Sequence, residues 1–335
     1  MRLDGVSLTI CLAIALLEPA WSFGQEVAAE SCDVPVVVTH YDNKLDRELS
    51  PTDFSVHLGG APKPVDSATI DESPRRVALI LDASRNIPTD EWRLETEMAA
   101  SFAEHARPRD QFAFLVIAAQ GTVDSFLSSG DTAERLRKLT GSRPAATEAN
   151  ERIYDALLAA AKRLDPPQFG DAIFLFGHHE DFGSATTSDE VLRLILKNRL
   201  RFYGMSFADR LAKLPKGFDL NKPLPKGFDR SNLELLSAET GYFFSFHSAQ
   251  SVNYPGQMPL FKNFLADLYT WIAEPYRLKI PASAIKDKTQ LEIAVTDLET
   301  RKIHKDGIHY PRSLYPCNAP TANPLLESKS GMNTE

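Results

Sequence analysis

The chain has 335 residues, 43% of them hydrophobic and 24% charged, which is enough apolar content for a globular core and excludes wholesale disorder. The formal charge at pH 7 is -8 with no long basic run, so nucleic acid is not an expected partner. That length holds one large domain or two smaller ones.

The chain opens MRLDGVSLTICLAIALLEPAWSFGQ, with Arg2, an apolar stretch over residues 6–17, and small Ser22 and Gly24 just before Gln25. This is the pattern of a secretory signal peptide over residues 1–24, cut after Gly24. The apolar stretch is about 12 residues against the roughly 20 of a bilayer span, so an uncleaved anchor is the second reading and no membrane span is expected in the mature chain. Cys32 lies well beyond that stretch and does not fit a lipid-attachment cysteine. Cleavage would remove Cys11 and leave Cys32 and Cys317, one near each end. In an oxidising compartment an even pair invites a disulfide; two free thiols are the alternative.

Over residues 34–69, short β-branched runs alternate with the turn signals YDNK, SPTD and GGAPKP, which predicts strands near 36–39, 54–58 and 65–70. At Arg76 the texture changes. RVALILD is a continuous apolar strand of the kind buried on both faces. PTDEWRLETEMAASFAEHA follows as a helix, with Leu94, Met98 and Phe102 at i+4 spacing and Thr89 or Asp90 able to cap it. QFAFLVIA is a second buried strand, a short strand is predicted near 122–126, and DTAERLRKL is a short helix. NERIYDALLAAAKRL is a strong helix with Ile153, Leu157, Ala160, Ala161 and Leu164 on one stripe. Strand DAIFLFG, helix SDEVLRLILKN, strand LRFYGMSF, helix SNLELLSAETG, strand YFFSF and helix PLFKNFLADLYTWIAEP complete the series. Apolar strands alternating with amphipathic helices predict an α/β fold with a doubly wound, mostly parallel sheet.

The unit LPKGFD occurs at 214–219 and again at 224–229; with Pro and Gly in each copy it reads as a loop, either a surface duplication or a binding loop. After Pro275 the texture returns to β in YRLKIPAS, TQLEIAVTDLE and RKIHKDGIHYP, where Leu291, Ile293 and Val295 alternate with polar residues. The predicted organisation is therefore an N-terminal β segment at 25–74, an α/β domain at 75–274, a C-terminal β segment at 275–317 that pairs with the first, and a flexible tail at 318–335. Two unrelated β appendages are the alternative, which a Cys32–Cys317 staple would argue against.

In doubly wound sheets ligands bind beyond the carboxyl ends of the strands, where strand order reverses. DASRN, TEANERIYDAL and FGHHEDFGS fall there. RRVALILDASRNIP, RDQFAFLVIA, ERIYDALLAAAKRL and DAIFLFGHHEDFGS together resemble a von Willebrand factor type A domain over about residues 76–274. The flanks VVVTHYDNKLDRELSPTDFSVHLGGAPKPV, YRLKIP and LEIAV are similar to a secreted bacterial subgroup of that family, known chiefly from acidobacterial genomes.

The resemblance implies a metal-ion-dependent adhesion site: Asp-x-Ser-x-Ser after the first strand, a Thr and an Asp from two later loops, and Mg2+ with one coordination place left for a partner's carboxylate. Such a set of oxygens suits a hard cation. Here Asp82 and Ser84 match, Asn86 stands for the second Ser, Glu151 for the Thr and His178 for the Asp. Asn86 can still offer an oxygen, but His178 brings a nitrogen that Mg2+ does not favour, so the site is read as degenerate. The leading expectation is then a secreted or periplasmic protein that binds a protein partner without a cofactor and without catalytic residues. The second is a re-tuned site in which Asp82, Glu151 and His178 hold Zn2+, Mn2+ or Fe2+, although an acid such as Glu151 near a helix start also complements the dipole without any ligand. The third is a hydrolytic enzyme using His178, His179, Glu180 and Asp181 as acid and base; no Gly-rich phosphate loop, GxSxG elbow or HExxH run accompanies them.

Overall fold

A computed structural model of the chain describes residues 31–40, 44–83, 87–117, 125–141, 152–177, 181, 183–206, 232–242, 244–246, 257–296 and 303–317. The segment 1–24 read as a signal peptide, the LPKGFD repeat and the predicted tail from 318 lie outside the described residues.

Strands β1 (Ser31–Val38), β2 (Phe54–Leu58), β3 (Ala61–Lys63) and β4 (Ser67–Ile70) come first. GGAPKP is only half turn: Gly59 and Gly60 form a two-residue loop and β3 folds back on β2, with Ala61 opposite Leu58. Loops of that length hold their flanking strands in register, so a stretch rich in Gly and Pro can still carry ladder residues. β1 begins five residues before the predicted strand because its first half has a partner distant in the chain, described below.

The α/β part follows as β5 (Arg76–Asp82), α1 (Thr89–Glu104), β6 (Gln111–Ile117), β7 (Leu127–Ser128), α2 (Ser129–Thr140), α3 (Ile153–Arg163), β8 (Ala172–Gly177), α4 (Ser188–Lys197), β9 (Arg201–Ser206), α5 (Asn232–Thr240), β10 (Phe244–Phe246) and α6 (Gln257–Ala273). The sheet order is β10-β9-β8-β5-β6-β7, with every pair parallel except β6 with β7. This is the expected doubly wound, mostly parallel architecture. Of the short strand predicted near 122–126, positions 122–124 lie outside the described residues; the described pairing with β6 joins Leu127 to Phe112 and Ser128 to Gln111. Its end is set by Ser128, whose hydroxyl caps α2 by accepting from Asp131 N at 3.2 Å.

Side chains alternate across this sheet, and both faces are dry. Val77, Leu79 and Leu81 join Phe112, Phe174 and Phe176 under α1, α2 and α6. Ala78, Ile80, Ile173, Leu175 and Phe202 pack under α3, α4 and α5. Burial on two faces is why these strands read as unbroken apolar runs rather than as alternation. Among the described residues no helix is long and apolar enough to cross a membrane.

The chain ends in β11 (Tyr276–Pro281), β12 (Thr289–Thr296), β13 (Ile303–His304), β14 (Ile308–His309) and β15 (Ser313–Leu314). β11 lies antiparallel between β1 and β4, giving the order β14-β1-β11-β4. β12 pairs with β2 in the order β13-β12-β2-β3 and also carries β15. The two β segments therefore build one apolar cluster around Val34, Val36, Leu278, Ile280, Leu291 and Ile293. Cys32 and Cys317 form a disulfide within it, their Cα atoms 5.7 Å apart.

Both crossings between the β segments and the parallel sheet pass the amino ends of the parallel strands, and buried arginines hold them. Arg75 pairs with Asp71 at 2.7 Å and donates to Ala273 O at 3.0 Å, so it ties the segment entering β5 to the segment leaving α6. Arg201 is fully buried and donates to Trp271 O at 3.2 Å, Ile272 O at 2.7 Å and Gly170 O. Arg277 binds Asp71 at 2.5 Å and Asp33 at 2.9 Å, with its guanidinium 4.0 Å from the Phe169 ring centre. Burial alone would raise the Asp71 carboxyl, but Arg75 beside it, with hydrogen bonds from Arg75, Ser73 and Arg277, outweighs that and holds it down at about 2. Arg75 falls to about 10 through burial and its neighbour Arg201, so it stays charged at neutral pH and the pair persists.

Candidate functional site

After β5 the chain turns toward β6 on one side, and β8 fills the other, so strand order reverses between β5 and β8. Crevices at that point are where ligands sit in open α/β sheets. Three strand ends line up there: Asp82 closes β5, Gly177 closes β8, and Ser206 stands opposite Gly177 on β9. Asp82 and Ser206 are fully buried. Gly177 has φ +151, and a Cβ placed on it would lie 2.7 Å from Asp82 Cβ. The Asp82 side chain thus stands against the face that a larger residue at 177 would fill. Ala83 N donates to Ile117 O at 3.2 Å, and buried Ile87 anchors the far end of the loop before α1.

The segment after β8 is held to the start of α3. Arg152, at the N-cap of α3, makes no side-chain cap bond, so the first N–H groups of the helix need acceptors from elsewhere. Asp181 Oδ1 accepts from Tyr154 N at 3.0 Å, and Ser184 Oγ accepts from Asp155 N at 3.1 Å. Ser184 Oγ donates in turn to Asp181 Oδ1 at 2.6 Å. In the opposite direction the Asp155 carboxylate accepts from Ala185 N at 3.1 Å and Thr186 N at 3.0 Å. Partial burial pushes the Asp155 carboxyl up, but the Thr186 and Ala185 hydrogen bonds and the nearby Arg152 bring it below its ordinary value. Thr187 and Glu190 then form a capping box that starts α4. The result is a reciprocal clasp: each of the two segments supplies a carboxylate that satisfies the other's backbone.

Of the five residues carried over from the adhesion-site pattern, Asp82 lies buried at the end of β5, while Ser84, Asn86, Glu151 and His178 lie outside the described residues. His179 and Glu180 lie outside them as well, and Asp181, grouped with them as an acid or base, accepts hydrogen bonds from α3 and from Ser184. Among the described residues no three His, Cys, Asp or Glu side chains gather as a metal cluster. Among the described residues the switch point thus holds a buried carboxylate, Asp82, and the segment after β8 is tied to α3 by satisfied backbone hydrogen bonds. Sequence reasoning did not single out Gly177, Asp155 or Ser184.

No protein-family model matches this chain. No curated protein matches it by sequence. Among solved structures it is similar to proximal thread matrix protein 1 from the mussel byssus in crystal form 2, at 14% identity and TM-score 0.42 over 62% of this chain and 48% of that one. The same mussel protein with a zinc-occupied MIDAS motif gives 13% identity and TM-score 0.44 over 63% of this chain and 49% of that one. The conserved hypothetical protein BatB from Bacteroides thetaiotaomicron gives 10% identity and TM-score 0.38 over 58% of this chain and 98% of that one. The chain spans about half the length of the mussel protein. At these identities and TM-scores the likeness transfers no function.

Proposed function

We propose that this is a secreted or periplasmic protein of the von Willebrand factor type A kind that binds a protein partner through the carboxyl edge of its parallel sheet, without a metal ion and without catalysis. The observation that carries the reading is the site itself: Asp82 is fully buried at the switch point, while Asp155 in α3 and Asp181 after β8 are committed to backbone N–H groups. A rim of that kind presents shape and satisfied polar backbone. Asn86, Glu151 and His178 in place of two hydroxyls and a carboxylate further weaken a Mg2+ octahedron. The Cys32–Cys317 disulfide supports an oxidising compartment.

The test is calorimetric titration of metal-stripped protein with Mg2+, Mn2+ and Zn2+, beside Asp82→Ala, together with capture from an envelope extract with and without chelator. The reading expects no micromolar binding of any of the three ions, and one partner captured equally by both proteins with chelator present. Micromolar Zn2+ or Mn2+ binding that disappears in Asp82→Ala, with capture lost in chelator, would replace it with the re-tuned Asp82, Glu151 and His178 site.

A further inference from the structure

A strand at the edge of a sheet leaves a row of N–H and C=O groups without a ladder partner, and chains blunt such edges with short strands, proline or charge. Most edges of this protein are blunted in that way. β3 carries Pro62 and Lys63. β7, β13, β14 and β15 are two residues long, and β10 is three. β4 differs: it ends the order β14-β1-β11-β4, has four residues and holds neither proline nor charge. Its register with β11 fixes which groups are open. Thr69 faces Arg277, and Asp71 N, two residues on, donates to Pro275 O at 2.9 Å, so the odd-numbered positions spend their backbone groups on β11. The N–H and C=O of Ala68 and Ile70 therefore point to the open edge, where no strand meets them among the described residues. The side chains of the same two residues turn inward, and with Val65 they lie partly buried against the apolar cluster of the β module. That cluster is thus incompletely covered along β4. Asp66 and Glu72, both exposed, stand at the two ends of the strand with no ion pair among the described residues.

We propose that β4 is a docking edge for an extended segment of a partner protein, one with apolar side chains at alternate positions and a lysine or arginine at each end. The segment adds as a further antiparallel strand, in keeping with the rest of this sheet. Its backbone pairs with Ala68 and Ile70, and its apolar side chains complete the cover over Val65, Ala68 and Ile70. Its basic ends meet Asp66 and Glu72, which gives the charge complementarity that selects it over an acidic strand. The edge belongs to the β module and lies on a different sheet from Asp82, so it is independent of the binding proposed at the carboxyl edge.

The probe is the fluorescein-labelled heptapeptide Lys-Val-Thr-Val-Thr-Val-Lys, titrated with the oxidised protein by anisotropy. Beside it run the same peptide with Glu at both ends and a copy N-methylated at all interior amides. Binding is expected to be about tenfold weaker for the Glu-ended peptide and lost on N-methylation, because the backbone does the pairing. Ala68→Pro removes an N–H that β11 does not use, and should weaken the Lys-ended peptide about tenfold while urea unfolding stays unchanged. Asp66→Lys combined with Glu72→Lys should reverse the preference between the two peptides. No binding up to about 1 mM, equal binding of the N-methylated copy, or unchanged binding in Ala68→Pro overturns the proposal. So does self-association of the wild-type protein that Ala68→Pro removes, since the occupant would then be a second copy of this chain. If Ala68→Pro does not fold, the N-methylated peptide and the charge reversal decide between these outcomes.

Discussion

Replacing both cysteines by alanine removes a cross-link across 285 positions. In the chain-entropy picture a loop of that length contributes about 5.6 kcal/mol at 25 °C by restricting the unfolded chain, and measured losses on removing native disulfides run at about 2–5 kcal/mol. The expected loss for Cys32→Ala with Cys317→Ala is about 3–5 kcal/mol, read from urea unfolding by linear extrapolation. Because the effect lies in the unfolded state, the denaturant slope should rise as that state expands and exposes more surface. Both cysteines are buried, so truncation also costs some packing. Reduced wild-type protein, which keeps both sulfurs, separates that part from the entropy. A loss below about 1 kcal/mol with an unchanged slope would refute the reasoning, because the two ends would then be held together in the unfolded chain or unlinked in the folded one.

Gly241 follows α5 at φ +79, and a Cβ there would fall 1.3 Å from the Tyr310 backbone oxygen, so Gly241→Ala should cost about 2–4 kcal/mol in thermal or urea unfolding as the chain around Tyr310 moves. Gly60 has φ +80 with nothing within 4 Å of the added carbon, so Gly60→Ala should cost only the backbone penalty of about 1 kcal/mol; equal losses would show that the contact with Tyr310 carries no weight. The Asp71 carboxyl is depressed from 3.8 to about 2 in the folded protein, so its contribution of about 2 kcal/mol is complete above the unfolded value and is lost as pH falls through about 2. Asp71→Asn should therefore narrow the stability gap to wild type as pH falls in acid unfolding; a gap that stays constant down to the lowest pH would mean the carboxylate charge is not what holds the junction.

Much of the architecture is legible in local pattern. RVALILD, QFAFLVIA, DAIFLFG and LRFYGMSF are apolar throughout because both faces of the sheet are covered, and the stripes of the helices between them mark where the covering comes from. The order of those elements puts the end of the first apolar strand at the switch point of the sheet, and Asp82 stands there. Other features depend on partners far away in the chain. Ala61–Lys63 is a strand because β2 is beside it, and Ser31 begins a strand because Pro281 faces it. Asp181 is a distant cap for α3 because Arg152 supplies no local one, a choice that only the fold of the segment after β8 can make.

Periodicity and composition by themselves determined the fold class, since each helix and strand buries its own apolar face by its own repeat. Tertiary structure alone decided the junction of Arg75, Arg201 and Arg277, the clasp of Asp155 with Asp181 and Ser184, and the meeting of Cys32 with Cys317. A charge or a sulfur has no periodicity of its own, and its behaviour is set by whichever atoms the completed fold brings within a few ångströms.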